Sequence, residues 1–146
     1  MNPELRLEIV QHGSPLWRRV VDLRLQILRT PLGLTFTSEE LLAETQDIQI
    51  ASLQENTLYG CLLLSPQGES RIKMRQVAVD TPFQGQGIGK AMVHFSEEIA
   101  RERGYSEMVL NAREPVVPFY EALGYKVISE RFIEVTLPHF TMHKSL

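Results

Sequence analysis

Three glycines alternate in Gln84-Gly85-Gln86-Gly87-Ile88-Gly89-Lys90, and a lysine closes the run. Glycines let a backbone approach an anion closely, and the start of a helix offers unpaired N–H groups and a partial positive charge. A strand ending at Gln76-Val77-Ala78-Val79 precedes this segment, and a helical apolar pattern follows it. Strand, glycine loop and helix together make a candidate phosphate cradle, with Lys90 adding a full charge. Two common cradles have other spacings. A dinucleotide fingerprint needs G-x-G-x-x-G, and a P-loop needs four residues between its first glycine and a Gly-Lys-Ser/Thr end. Here Ala91 stands where that second motif requires a hydroxyl. The spacing that does match is Q/R-x-x-G-x-G/A, through Gln84, Gly87 and Gly89.

Other reactive side chains carry weaker signals. His139 and His143 are four apart on a strand pattern, about 13 Å along the chain, too far to share one ion. No metal is expected. Cys61 sits in the apolar run Gly60-Cys61-Leu62-Leu63-Leu64, the setting of a buried, inert thiol.

The elements that must position these residues follow from periodicity and punctuation. Residues 5–10 alternate as a half-buried strand. Ser14-Pro15 caps and opens a helix carrying Leu16, Val20, Leu23 and Ile27, ended by Pro31. Thr37 and Glu40 have capping-box spacing and predict a short helix over Ser38 to Glu44. Strands are expected near 47–53 and 57–64, joined by Gln54-Glu55-Asn56, with a fourth over 72–79 after the turn Ser65-Pro66-Gln67-Gly68. A third helix runs from Gly87 to a stop at Gly104. A strand at 108–110, a helix over 115–123, a strand at 125–128 and a last strand over 139–144 complete the chain. No repeat or linker interrupts it, so residues 1–146 read as one mixed α/β domain.

Composition narrows the partners. A net charge of −3 without a basic stripe argues against nucleic acid, the longest basic cluster being Arg18-Arg19 beside Trp17. No apolar run nears the ~20 residues of a membrane span. The start Met1-Asn2-Pro3-Glu4-Leu5 lacks a secretion-signal pattern, and one cysteine allows no internal disulfide. A cytoplasmic location is expected.

With Gln84-x-x-Gly87-x-Gly89 on a strand–helix junction, the chain resembles the GNAT acyltransferase superfamily. Downstream, Leu110-Asn111-Ala112-Arg113 and Pro118-Phe119-Tyr120-Glu121-Ala122-Leu123-Gly124-Tyr125 resemble its second signature. The ending, with Pro138-His139 and Met142, is similar to the tail of an ElaA-like bacterial branch. The resemblance implies a GNAT fold: a mixed, mostly antiparallel sheet of about seven strands, flanked by four helices and splayed between the fourth and fifth strands. It implies acetyl-CoA as co-substrate, a primary amine as acceptor and direct transfer in a ternary complex, and it leaves a homodimer open. A CoA-binding sensor without turnover is the alternative.

The residues follow from the same source. Backbone groups of Val77, Ala78 and Val79 would pair with the pantetheine arm, and the Val79 N–H would polarise the acetyl carbonyl. N–H groups of Gln84, Gly85, Gln86, Gly87, Ile88, Gly89 and Lys90 would hold the pyrophosphate, with Asn111 and Phe119 beside the cofactor. Tyr120 matches the tyrosine that acts as general acid in many members, although a core aromatic would occupy the same helix face. Arg24 and Arg29 fall in the region that shapes the acceptor pocket. Glu134 and His139 lie where the substrate-side strands converge, His139 serving as a base or as a packed strand residue. Arg113 and Val116 occupy positions where the family often has Asn and Ala.

Overall fold

The computed structural model describes residues 5–146. Residues 1–4, part of the segment read above for a secretion signal, lie outside that range. Strands β1 (Arg6–Val10), β2 (Ile48–Gln54), β3 (Thr57–Pro66), β4 (Arg71–Val79), β5 (Glu107–Arg113), β6 (Lys126–Val127), β7 (Phe132–Glu134) and β8 (Leu137–Ser145) form one sheet. Its order is β1-β2-β3-β4-β5-β8-β6, with β7 on β8. Only β4 and β5 run parallel, joined by a crossover through a helix, as parallel neighbours require.

Helices α1 (Pro15–Arg24), α2 (Ser38–Leu42), α3 (Ile88–Glu102) and α4 (Val117–Ala122) flank the sheet. Ser14 accepts from the Trp17 N–H at the head of α1, and the Thr37–Glu40 capping box opens α2. The run Cys61–Leu64 is apolar at every position because both of its faces are covered. Leu62 and Leu64 pack with Met92 and Val93 of α3, whereas Cys61 joins Val20, Val21 and Leu23 of α1. Burying each such side chain contributes roughly 1.5–3 kcal/mol. Gly60 is fixed by close approach: a Cβ there would lie 2.8 Å from the Ala78 carbonyl oxygen.

Several boundaries differ from expectation. The sheet has eight strands rather than about seven, because Phe132–Glu134 pairs with Leu137–His139 through a turn at Val135-Thr136. That turn lacks the Gly, Asn or Asp that announces a hairpin. The strand expected over 125–128 shrinks to the edge pair of β6, and the one expected over 108–110 grows to seven residues. Helix α1 does not run on regularly to Pro31. At Leu25–Arg29 it widens into a π turn, tightens at Thr30–Leu32, and stops at Gly33 with φ 70°.

Candidate active site

Strands β4 and β5 pair only from Arg71–Met74 against Glu107–Leu110, and beyond that point they part. The separation begins at a bulge. Cys61 faces Ala78 and Leu63 faces Arg75, so Gln76 and Val77 together oppose Leu62, with Gln76 at φ 55°. A bulge adds one residue to a strand and bends it away from its neighbour. The gap becomes a cavity of about 600 Å³ that reaches from the glycine loop to the β7–β8 hairpin.

Backbone polarity in this gap follows from alternation. The Asp80 N–H donates to the Tyr59 carbonyl at 2.9 Å, towards β3. Successive amides along a strand point to opposite sides, so the Val79 N–H faces the cavity. The Val79 carbonyl points the same way and accepts from Gln84 Nε2 at 2.9 Å. Gln84 therefore ties the strand end to the loop with its side chain. Val77, Ala78 and Val79 all line the cavity.

At the loop, Gly85 and Gly87 have φ of 79° and 82°, a region closed to most side chains, and Gly87 caps α3. The first bond of the helix runs from the Ala91 N–H to the Gly87 carbonyl at 3.0 Å, which leaves the preceding N–H groups of the first turn without a helix acceptor. A Cβ on Gly85 or Gly87 would meet nothing within 4 Å, so the loop faces open space. Lys90 and Gly89 join the wall, and Phe119 lies 3.5 Å from the Cβ position of Gly89. The Gln86 side chain is exposed and donates to the Pro82 carbonyl. A crown of free amides at a helix start, beside a long gap with strand amides on its edge, fits an extended ligand with a diphosphate end.

Tyr120 lines the middle of the gap, packed edge-on against Phe119 and Tyr125. Burial pushes its phenol up to about 12. Tyr125 donates to the buried Glu97, which also pairs with Lys144 at 3.1 Å, and that brace holds the end of α4 against α3 and β8.

The far end of the cavity is polar. Asn111 Nδ2 donates to Glu134 at 2.9 Å, while its Oδ1 accepts from the Thr141 hydroxyl at 2.9 Å. The Asn111 side chain, expected beside a cofactor, is thus occupied in orienting Glu134. His139 is 6% exposed, and its Nδ1 lies 2.8 Å from the Leu137 carbonyl. A carbonyl only accepts, so Nδ1 carries a proton, and Nε2 is the nitrogen left to exchange one. Arg29 joins this wall, its guanidinium stacked 4.3 Å over Phe36 and donating to Thr35 and Glu40. Arg24 does not join it. It is fully buried, donates twice to Glu44 at 2.9 and 2.7 Å, and covers the Phe36 ring at 4.7 Å. Its charge is consumed in holding α1 to the segment after α2. Arg75 and Arg113 line the cavity without having been expected there as site residues. Both share the Asn111 side of their strands, a relation that depends on knowing which strands are neighbours.

The fold and cleft define a class: an open mixed sheet whose parted strands leave a long gap between a glycine loop at a helix start and a polar chamber. Residues 35–146 match the family model described as an acetyltransferase (GNAT) domain. The chain belongs to the GNAT acetyltransferase family. It is 29% identical over 128 residues to human N-acetyltransferase 8B, a match that takes in 82% of this chain and 54% of that protein. Its fold superposes on Escherichia coli ElaA with a TM-score of 0.80 at 15% identity, covering 97% of this chain and 99% of the other. A GNAT acetyltransferase from Elizabethkingia anophelis with acetyl-CoA bound gives 0.75 at 19%, covering 97% and 98%. At these identities the two structures share the fold. The matches to curated relatives span about half the length of those proteins. No described helix is long and apolar enough to cross a membrane.

Proposed function

We propose that this chain moves the acetyl group of acetyl-CoA directly to the primary amine of a small-molecule acceptor within a ternary complex. The observation that carries the reading is the continuous gap between β4 and β5. It leads from the free amides of the glycine loop, past the Val79 N–H and Tyr120, to the chamber of Glu134 and His139. Acetyl-CoA supplies a thioester that an amine attacks, forming the C–N bond and releasing a thiolate.

Each residue then has a defined task. The loop amides and Lys90 hold the diphosphate, and the Val79 N–H stabilises the tetrahedral oxyanion. Glu134, steadied by Asn111, attracts the acceptor's ammonium, and His139 Nε2 accepts the proton that makes the amine a nucleophile. Tyr120 donates a hydrogen bond to the departing sulfur. Burial holds that phenol up at about 12, so it is protonated and able to donate as the sulfur leaves. The proton that the attacking amine loses on forming the amide balances the step, and CoA leaves as a thiol.

The test is CoA release, followed by a thiol reagent, with acetyl-CoA and a panel of amines. Release that depends on amine concentration is the expected result. Tight acetyl-CoA binding with no release for any amine would point to a CoA sensor instead. Gly87→Val, which places a β-branched residue at φ 82°, should weaken acetyl-CoA binding by about tenfold or more in calorimetry. Unchanged affinity would remove the loop from the binding site.

A further inference from the structure

We propose that the acceptor is an amine that also carries an oxyanion, a carboxylate or a phosphate, bound with its amine at Glu134 and its anion at Arg113. The inference rests on the transfer reading above and adds the acceptor's chemical class.

Charge in the acceptor half of the cavity is lopsided. Arg29, Arg75 and Arg113 face it with Glu134 as the single carboxylate in that wall, although the chain as a whole is acidic. Two of the three guanidiniums are already engaged. Arg29 is stacked on Phe36 and bonded to Glu40, while Arg75 lies 3.6 Å from Asp47 and donates to Ser65 at 3.2 Å. The Arg113 guanidinium has no hydrogen bond or ion pair among the described residues, whereas Arg131 takes Glu114 at 2.9 Å.

Its place in the sheet aims it usefully. Arg113 stands opposite His139 in the β5–β8 ladder and two residues beyond Asn111, on the same side of β5. Asn111 in turn holds one oxygen of Glu134 and leaves the other without a partner among the described residues. A free carboxylate oxygen and a free guanidinium thus share one wall, and Asn111, which holds that carboxylate, lies about 7 Å from Arg113 along β5. A guanidinium in a confined wall loses hydration that an oxyanion restores through paired N–H donors. A plain alkylamine would satisfy Glu134 and leave Arg113 unpaired. An amine with an attached anion satisfies both, and it also presents the nitrogen from one direction.

The experiment measures CoA release by the full chain with matched amines: β-alanine against its amide, and phosphoethanolamine against ethanolamine. Anion-bearing members should exceed their neutral partners in kcat/KM by about tenfold or more. Arg113→Ala should collapse that ratio, and Arg113→Lys should retain part of it. The pair with the larger ratio distinguishes carboxylate from phosphate. Equal or faster turnover of the neutral members overturns the inference. So does an Arg113→Ala ratio equal to wild type, or a loss traced by calorimetry to acetyl-CoA affinity alone. Protein that binds acetyl-CoA yet releases no CoA with any amine overturns the transfer reading itself, and this inference with it.

Discussion

At the scale of single residues, the site is built from side chains whose freedom has been removed by a neighbour. Asn111 is gripped by Thr141 and Glu134, His139 by the Leu137 carbonyl, and Arg29 by Phe36 and Glu40. Tyr120 is different: it is held by ring packing, and its hydroxyl remains for a ligand in the gap. Tyr120→Phe keeps the rings and deletes that donor, so the fold and acetyl-CoA affinity should hold while kcat falls by roughly ten- to a hundredfold. Steady-state kinetics beside calorimetry separate the two, and full activity in the variant removes Tyr120 from the chemistry. Because burial raises the phenol to about 12, it stays protonated across neutral and mildly alkaline pH. It should therefore contribute no loss of activity until pH rises towards that value.

Elements place these residues through irregularities rather than through their regular parts. The Gln76 bulge parts β4 from β5, and the π turn at Leu25–Arg29 carries Arg29 to the cavity rim. The β7–β8 hairpin brings Glu134 beside Asn111, at the cost of left-handed backbone at Val135 (φ 49°) and Thr136 (φ 65°). Two β-branched residues in that region are strained, and such strain gathers where a structure needs an unusual geometry. Replacing them with Val135→Asn and Thr136→Gly should relieve it and stabilise the protein by about 1 kcal/mol in urea unfolding. Activity should be retained if Glu134 keeps its bond to Asn111. A loss of stability would show that the turn is not strained as its dihedrals indicate.

For the whole molecule, the acid limb of stability is set by carboxylates on different elements. Hydrogen bonds from His143 and Arg71 hold Glu107 below its ordinary 4.5. A depressed carboxyl stabilises the fold above its unfolded value and loses that contribution as pH falls through the folded one. Asp47 runs the other way: desolvation raises it, so its contribution is present at low pH and is lost as pH rises through its folded value. Glu107→Gln should thus cost about 1 kcal/mol or less near neutrality, since its partners are partly exposed, and the gap to wild type should close below pH 4.5. Thermal melts across pH check this; a gap that persists in acid would assign the loss to packing.

What the sequence determined by itself was local in its physics. Caps at Ser14 and Thr37, the glycine stops and the spacing of Gln84, Gly87 and Gly89 report on neighbours within a few residues, and such neighbours are written in order along the chain. The helices, most of the strands and the glycine loop were legible for that reason. Tertiary structure alone decided that Arg24 spends its charge on Glu44, that Phe132–Glu134 forms a strand through an unadvertised turn, and that Arg75 and Arg113 meet one cavity. The first and last depend on which elements become neighbours across twenty to about forty residues, and the hairpin on a turn that no residue type announces. Only the assembled sheet, with its bulge opening β4 from β5, fixes that.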